Sequence, residues 1–364
     1  MATPNDRTTP PASRAPGAGH VPHSDGFSAG VTGHAATVTL AVYTCEYTGE
    51  SARLPDFLER GRRTFDTTFG PAASHAGQGA RHEDRRFDLL IGYWLDRRDF
   101  EAWQSAHPWP QWCAATAADA APHGYSREVF TVPAARLETL LSAADIRHGL
   151  SACGLPVVGP VMQHGYWGSM RDRLPAGAAA AAAGAADPRA AAPHEADLGA
   201  WGTSTVLCPP PDLCVICSGQ DWANCRPDHA LFFHEQLRPR LATAMAALQR
   251  RADAHGCVDL RMVDLVDERR RPRSASFALA TFLSLGQLAH WARTDPDHLD
   301  IFGTFIAHKR ASQTALRLWH EVLLLPGDGL ARFEYLRCAP PKALRPAAAP
   351  SSPCATAYAT EEPT

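Results

Sequence analysis

Tyr93-Trp94-Leu95-Asp96, followed by Phe100 and Trp103, decides the fold, because the chain repeats it as Thr281-Phe282-Leu283-Ser284 followed by Leu288 and Trp291. In each copy an apolar strand ends at a side-chain oxygen able to cap a helix, and apolar residues then recur at helical spacing. A second pair of segments repeats in the same order. Arg127-Glu128-Val129-Phe130-Thr131-Val132-Pro133 is echoed by His320-Glu321-Val322-Leu323-Leu324-Leu325-Pro326, each a strand closed by proline. The first copy extends to strands at 37–47, 87–95 and 126–132 with helices at 55–69 and 99–106. The second extends to strands at 213–218, 258–265, 277–283 and 316–325 with a long helix over 228–255. Strands and helices alternating through short connections predict an α+β fold of two tandem ferredoxin-like halves.

Composition draws the outer limits. The chain has 364 residues, 45% of them hydrophobic, enough for a sizeable core. Its formal net charge of -3 leaves no electrostatic footprint for nucleic acid or anionic lipid. No apolar run approaches the roughly 18 residues of a membrane-spanning helix, and the N-terminus lacks the apolar stretch of a secretion signal, so a cytoplasmic protein acting on a small molecule is expected. The ten cysteines then read as buried small hydrophobes. Residues 1–36 and 339–364, rich in Pro, Ala, Gly and Ser, read as disordered tails, and Ala-rich 175–200 reads as an inserted loop. The halves are thereby bounded at 37–174 and 201–338.

Between the halves lies Tyr166-Trp167-Gly168-Ser169-Met170-Arg171-Asp172-Arg173, two aromatics and two guanidinium groups ahead of a Leu-Pro stop. It resembles a string carried by the aldoxime dehydratases, haem lyases that convert aldoximes to nitriles. Three further segments resemble that family in the same order: Ser218-Gly219-Gln220-Asp221-Trp222, Asp295-Pro296-Asp297-His298-Leu299-Asp300-Ile301-Phe302 and Leu318-Trp319-His320-Glu321-Val322. The resemblance implies a dimeric-α+β-barrel-type fold, a b-type haem in the ferrous state, an aldoxime as substrate and a homodimer. Another haem enzyme of the same fold, peroxidase-like, or a haem carrier or sensor are the alternatives.

The candidate residues carry two readings each. His298 follows Pro296, which ends the preceding helix, and Asp297, which can cap the next; on pattern alone it is a surface or capping residue. The resemblance makes it the proximal ligand of the haem iron. His320 shares a strand face with Leu316, Leu318, Val322 and Leu324, with Arg317, Trp319 and Glu321 on the other, so pattern alone gives a core histidine. The resemblance makes it the distal acid/base. Ser218 ends a strand beside Gly219, an ordinary turn position; the resemblance gives its hydroxyl to the oxime oxygen. Arg173 is the catalytic arginine by resemblance, with Arg171 free to pair with an aspartate, and Glu138, read on a helix face, is its acidic companion. The chain departs from the family at Cys217, where arginine is common, which is expected to alter pocket electrostatics. Cys214 and Cys217 have zinc-like spacing, but positions i and i+3 of a strand face opposite sides and could not share a metal.

Overall fold

The computed structural model describes residues 20–22, 24–30, 37–49, 55–81, 85–175, 193–312, 314–327 and 329–344. Most of both proposed tails, and 176–192 of the Ala-rich insert, lie outside them. The strands are β1 (Ser28–Ala29), β2 (Thr37–Thr48), β3 (Ala73–Ala80), β4 (Arg85–Trp94), β5 (Gly124–Pro133), β6 (Leu137–Leu141), β7 (Val157–Val158), β8 (His194–Asp197), β9 (Thr203–Leu207), β10 (Cys214–Asp221), β11 (Cys257–Val266), β12 (Pro272–Phe282), β13 (Arg317–Leu324) and β14 (Ala331–Leu336). Twelve form one large curled antiparallel sheet in the order β6-β13-β10-β12-β11-β3-β4-β2-β5-β14-β9-β8, and β1 pairs with β7.

The repeat seen in the sequence is present in the register. Trp94 stands opposite Thr39 as Phe282 stands opposite Cys214, and Arg127 stands opposite Tyr43 as His320 stands opposite Ser218. Both expected caps form: Asp96 accepts from the Arg98 amide and Ser284 from the Gln287 amide, opening helices Arg97–Ala106 and Leu285–Thr294. The two runs of strands meet at β3 and β11, where Gln78 and Gly77 pair with Asp264 and Leu265. A Cβ on Gly79 would lie 2.2 Å from the Met262 carbonyl oxygen, so the close approach there depends on glycine.

One face of this sheet supplies a core common to both runs, with Leu40, Phe87, Ile91 and Phe130 from one and Val215, Val263, Phe277 and Leu323 from the other. Helices cover the opposite face. Pro55–Phe65, Arg97–Ala106 and Trp109–Cys113 bury Phe57, Phe65, Phe100, Trp103 and Trp112 against β2, β4 and β5. Arg238–Arg250, Leu285–Thr294 and Pro296–Ala311 lie over β10 to β13. Strand alternation therefore separates Cys214 from Cys217: the first packs under the helices, the second in the common core.

Several expectations need correction. Glu138 lies on a strand, β6, which pairs with β13, while β9 and β14 join the sheet beside β5, so the run ends cross the boundary drawn at 175–200. Part of the supposed loop is strand β8. The long helix over 228–255 is interrupted: Pro227–Phe232 passes into a π-helical turn at Phe233–Leu237 before Arg238–Arg250, because Pro239 has no amide hydrogen to continue the α-helical ladder. Segments read as tails are packed where described, with Ala29 and Leu344 buried in the common core. Cys217 faces that core opposite Glu321, away from His320 and Ser218, so its thiol does not enter the pocket electrostatics expected of it.

Glu321 ties the two runs together inside the core. Its Oε1 accepts the Tyr93 hydroxyl at 2.6 Å and its Oε2 the Leu150 amide at 2.9 Å. Burial outweighs these hydrogen bonds and pushes the carboxyl up to about 7. A folded value above the ordinary 4.5 stabilises fully below about 4.5 and is lost as pH rises to about 7. Between those limits wild type should lose roughly 3 kcal/mol relative to Glu321→Gln, read from urea midpoints across pH; parallel pH dependences for the two proteins would refute the buried-carboxyl account.

Candidate active site

The order β6-β13-β10 puts Leu140 and Ser218 on either side of His320, with Glu138 opposite Val322, two residues along the same face. Leu318, Val322 and Leu324 join the helix-covered clusters, whereas Trp319 and Leu323 join the common core, so His320 points beneath the helices as its alternation predicted. A Cβ on Gly219 would lie 2.4 Å from the Trp319 indole, so glycine beside Ser218 lets that ring lie against β10. Ser218 is exposed on this face, and its hydroxyl has no hydrogen-bond partner among the described residues.

Arg173 reaches the same face from a single turn of helix, Ser169–Arg173, entered through Gly168 at φ 100°. Asp172 holds the turn, accepting from Arg171 at 2.7 Å and from the Tyr166 hydroxyl at 2.9 Å. Arg171 is thus paired beside its own backbone, and Arg173 is the one directed inward. Its Nε donates to Glu138 Oε2 at 2.6 Å, its Nη2 to Glu138 Oε1 at 3.1 Å, and its Nη1 to the Gln163 carbonyl at 2.6 Å. The pair is dry, at 5% and 1% side-chain exposure. Burial alone would raise the Glu138 carboxyl, but Arg173 and His320 outweigh it and hold it at about 2, so it stays ionised at neutral pH.

His320 Nε2 lies 2.9 Å from Arg173 Nη2 and 3.1 Å from Glu138 Oε1. The guanidinium can only donate and the carboxylate only accept, so the contacts call for opposite forms of the ring. Unprotonated, Nε2 accepts from Arg173; protonated, it donates to Glu138. Both partners are in reach in one ring position, so a proton can leave or return to Nε2 without side-chain reorganisation.

His298 occupies the first turn of Pro296–Ala311 as expected, but Asp295, not Asp297, is the cap, accepting from the Asp297 and His298 amides at 3.1 Å. Its Nδ1 lies 2.7 Å from the Ala292 carbonyl, which can only accept, so Nδ1 carries the hydrogen and Nε2 keeps a lone pair. Burial pulls this imidazole below its ordinary value, which keeps it neutral. Trp291 and Trp167 flank the ring at centroid distances of 4.7 and 6.5 Å. Trp167 and Phe302 are nevertheless 38% and 47% exposed, and no residue of this 16-residue helix is buried.

A scan along the chain matches the model of the haem-containing dehydratases over residues 57–342. The chain is a member of the haem-containing dehydratase family. It is 30% identical over 277 residues to an aliphatic aldoxime dehydratase of Rhodococcus globerulus, covering 76% of each chain, and 27% identical over 286 residues to a phenylacetaldoxime dehydratase of Bacillus sp. (strain OxB-1), covering 77% of this chain and 79% of that one. Among solved structures, a crystalline aldoxime dehydratase in complex with butyraldoxime aligns with a TM-score of 0.77 at 25% identity over 89% of each chain.

A haem fits the residues present in this dehydratase. A neutral imidazole with its Nδ1 hydrogen tied to a carbonyl is the form an axial ligand needs, and half-exposed Trp167, Leu299 and Phe302 beside it suit a flat apolar ring. Among the described residues no three His, Cys, Asp or Glu side chains are grouped to hold a bare metal ion. No helix among them is long and apolar enough to cross a membrane. The pairing of an arginine with Asp172 was open to sequence reading and forms with Arg171, whereas the Gln163 carbonyl that accepts from Arg173 carries no sequence signal because it is backbone. His298→Ala should yield folded protein with little or no haem after reconstitution, measured as the Soret to protein absorbance ratio; a wild-type ratio would remove His298 as the ligand.

Proposed function

We propose that this chain dehydrates aldoximes to nitriles, with His320 as the proton carrier, Ser218 as the holder of the oxime hydroxyl, and Arg173 with Glu138 as the pair that sets the state of His320. The observation that carries the reading is the position of His320 Nε2 between a donor and a carboxylate, on the strand facing a serine hydroxyl that has no partner among the described residues. The haem, b-type and ferrous in this reading and held by His298, supplies electron density to the C=N–O unit.

Dehydration breaks an N–O bond and a C–H bond without net oxidation, R-CH=N-OH giving R-C≡N and water. Hydroxide leaves poorly, so the oxygen must take a proton as the N–O bond breaks. The Ser218 hydroxyl, free of other partners among the described residues, orients that oxygen. His320 gives up the proton from Nε2, and its unprotonated Nε2 then accepts from Arg173. The aldehydic proton returns to His320, whose protonated Nε2 donates to Glu138. Half-buried Met170, Ile216, Met262, Ala278 and Ile301 border this face and suit an apolar R group while limiting water. In the same reading the two strand runs are ferredoxin-like units rolled into a barrel, and the enzyme is a cytoplasmic homodimer.

His320→Ala tests the assignment. If His320 moves the proton, the variant should retain haem and its melting temperature within a few degrees, and nitrile formation per haem should fall by roughly 10² to 10⁴. A variant that loses stability by roughly 1–3 kcal/mol while turnover per haem survives would make His320 a packing residue.

A further inference from the structure

A second concavity opens at the seam between the two runs, where β3 and β11 part beyond their Gly77–Leu265 pair. Its volume is about 500 Å³, and none of its lining belongs to Pro296–Ala311 or to Glu138, Arg173, Ser218 and His320. Four arginines line it: Arg62, Arg269, Arg271 and Arg273. Asp267 and Glu268 share the lining, but Arg271 holds Asp267 at 2.6 Å, so positive charge remains in excess. Arg62 spends one nitrogen on the Val266 and Asp267 carbonyls, at 3.2 and 2.8 Å. The Arg269 and Arg273 guanidinium groups have no ion pair or hydrogen bond among the described residues.

His75 also lines the cleft and is 7% exposed. Its Nε2 is 2.8 Å from the Gly149 amide, which can only donate, so the ring hydrogen sits on Nδ1. That Nδ1–H has no acceptor among the described residues. Burial, with His148 and Arg273 nearby, holds this ring at about 3, so it is a neutral donor across the physiological range. Although the residue is mostly buried, Nδ1 itself is open to the cleft, so its N–H is presented to any acceptor that enters. Planar guanidinium forks beside a neutral N–H donor match a tetrahedral oxyanion, and Ala76 and Val266 in the lining offer apolar surface for an organic group.

We propose that this cleft binds a phosphomonoester, with Arg269 and Arg273 on the phosphate and His75 Nδ1–H donating to one of its oxygens. The volume exceeds what bare phosphate needs and lies within the roughly 300–1,000 Å³ of small-molecule sites.

The test is isothermal titration of the haem-loaded enzyme with phenyl phosphate and, separately, inorganic phosphate, ionic strength being held constant with sodium chloride. Phenyl phosphate should bind saturably at one site per chain, more tightly than inorganic phosphate. The double variant Arg269→Ser/Arg273→Ser should bind it roughly tenfold or more weakly, with nitrile formation in phosphate-free buffer unchanged. His75→Gln, which keeps an acceptor for the Gly149 amide, should weaken binding without altering the melting temperature of the free protein. Absence of saturable binding, or equal affinity in wild type and both variants, would overturn the proposal, and equal affinity for both probes would reduce the site to one for inorganic phosphate.

Discussion

The buried ion pair between Glu138 and Arg173 is the constraint on which the rest of the site depends. A carboxylate almost completely withdrawn from water persists as an anion only with a cation in contact, and removing either partner of such a pair costs about 3–5 kcal/mol. The pair links β6, laid beside β13, to the turn of helix at 169–173, which a left-handed glycine opens and Asp172 ties to Arg171 and Tyr166. It also holds His320, with a donor and an acceptor both within 3.1 Å of its Nε2.

The repeat shows how one sheet geometry serves packing in one place and chemistry in another. The positions of Ser218, Ala278 and His320 correspond in register to Tyr43, Leu90 and Arg127. There the Tyr43 ring meets Trp112 at 4.8 Å and Trp103 at 6.1 Å, and Arg127 is consumed by buried Glu334 and by Gln104. Aromatic side chains fill the space between sheet and helices. The second run puts a serine, an alanine and a histidine where those bulky groups would be, and its covering helix Pro296–Ala311 buries none of its own residues. Ser218 is left exposed on that face.

Much of this was legible in the residues. The paired segments at Tyr93 and Thr281, and at Arg127 and His320, gave the repeat because strand ends, caps and closing prolines are local signals. The inward direction of His320 followed from alternation along one strand. Glu138 was assigned to a helix because Leu-Glu-Thr-Leu-Leu is short and fits either period; only its pairing with β13 settles it as a strand. The crossing of β6, β9 and β14 between the runs was hidden for the same reason, since strand partners far apart in sequence leave no periodicity. The cap at Asp295 was misplaced by two residues, the ordinary uncertainty of a helix start when two aspartates flank a proline.

The central claim is that Glu138, in contact with His320 Nε2, takes part in the proposed proton transfer, and Glu138→Gln tests it most directly. The amide keeps the size and one acceptor for Arg173 but removes the negative charge 3.1 Å from His320 Nε2. Turnover per haem of the reconstituted variant should fall by roughly 10² or more while haem content stays at the wild-type level. Nitrile formation within twofold of wild type, at equal haem loading, would contradict the account.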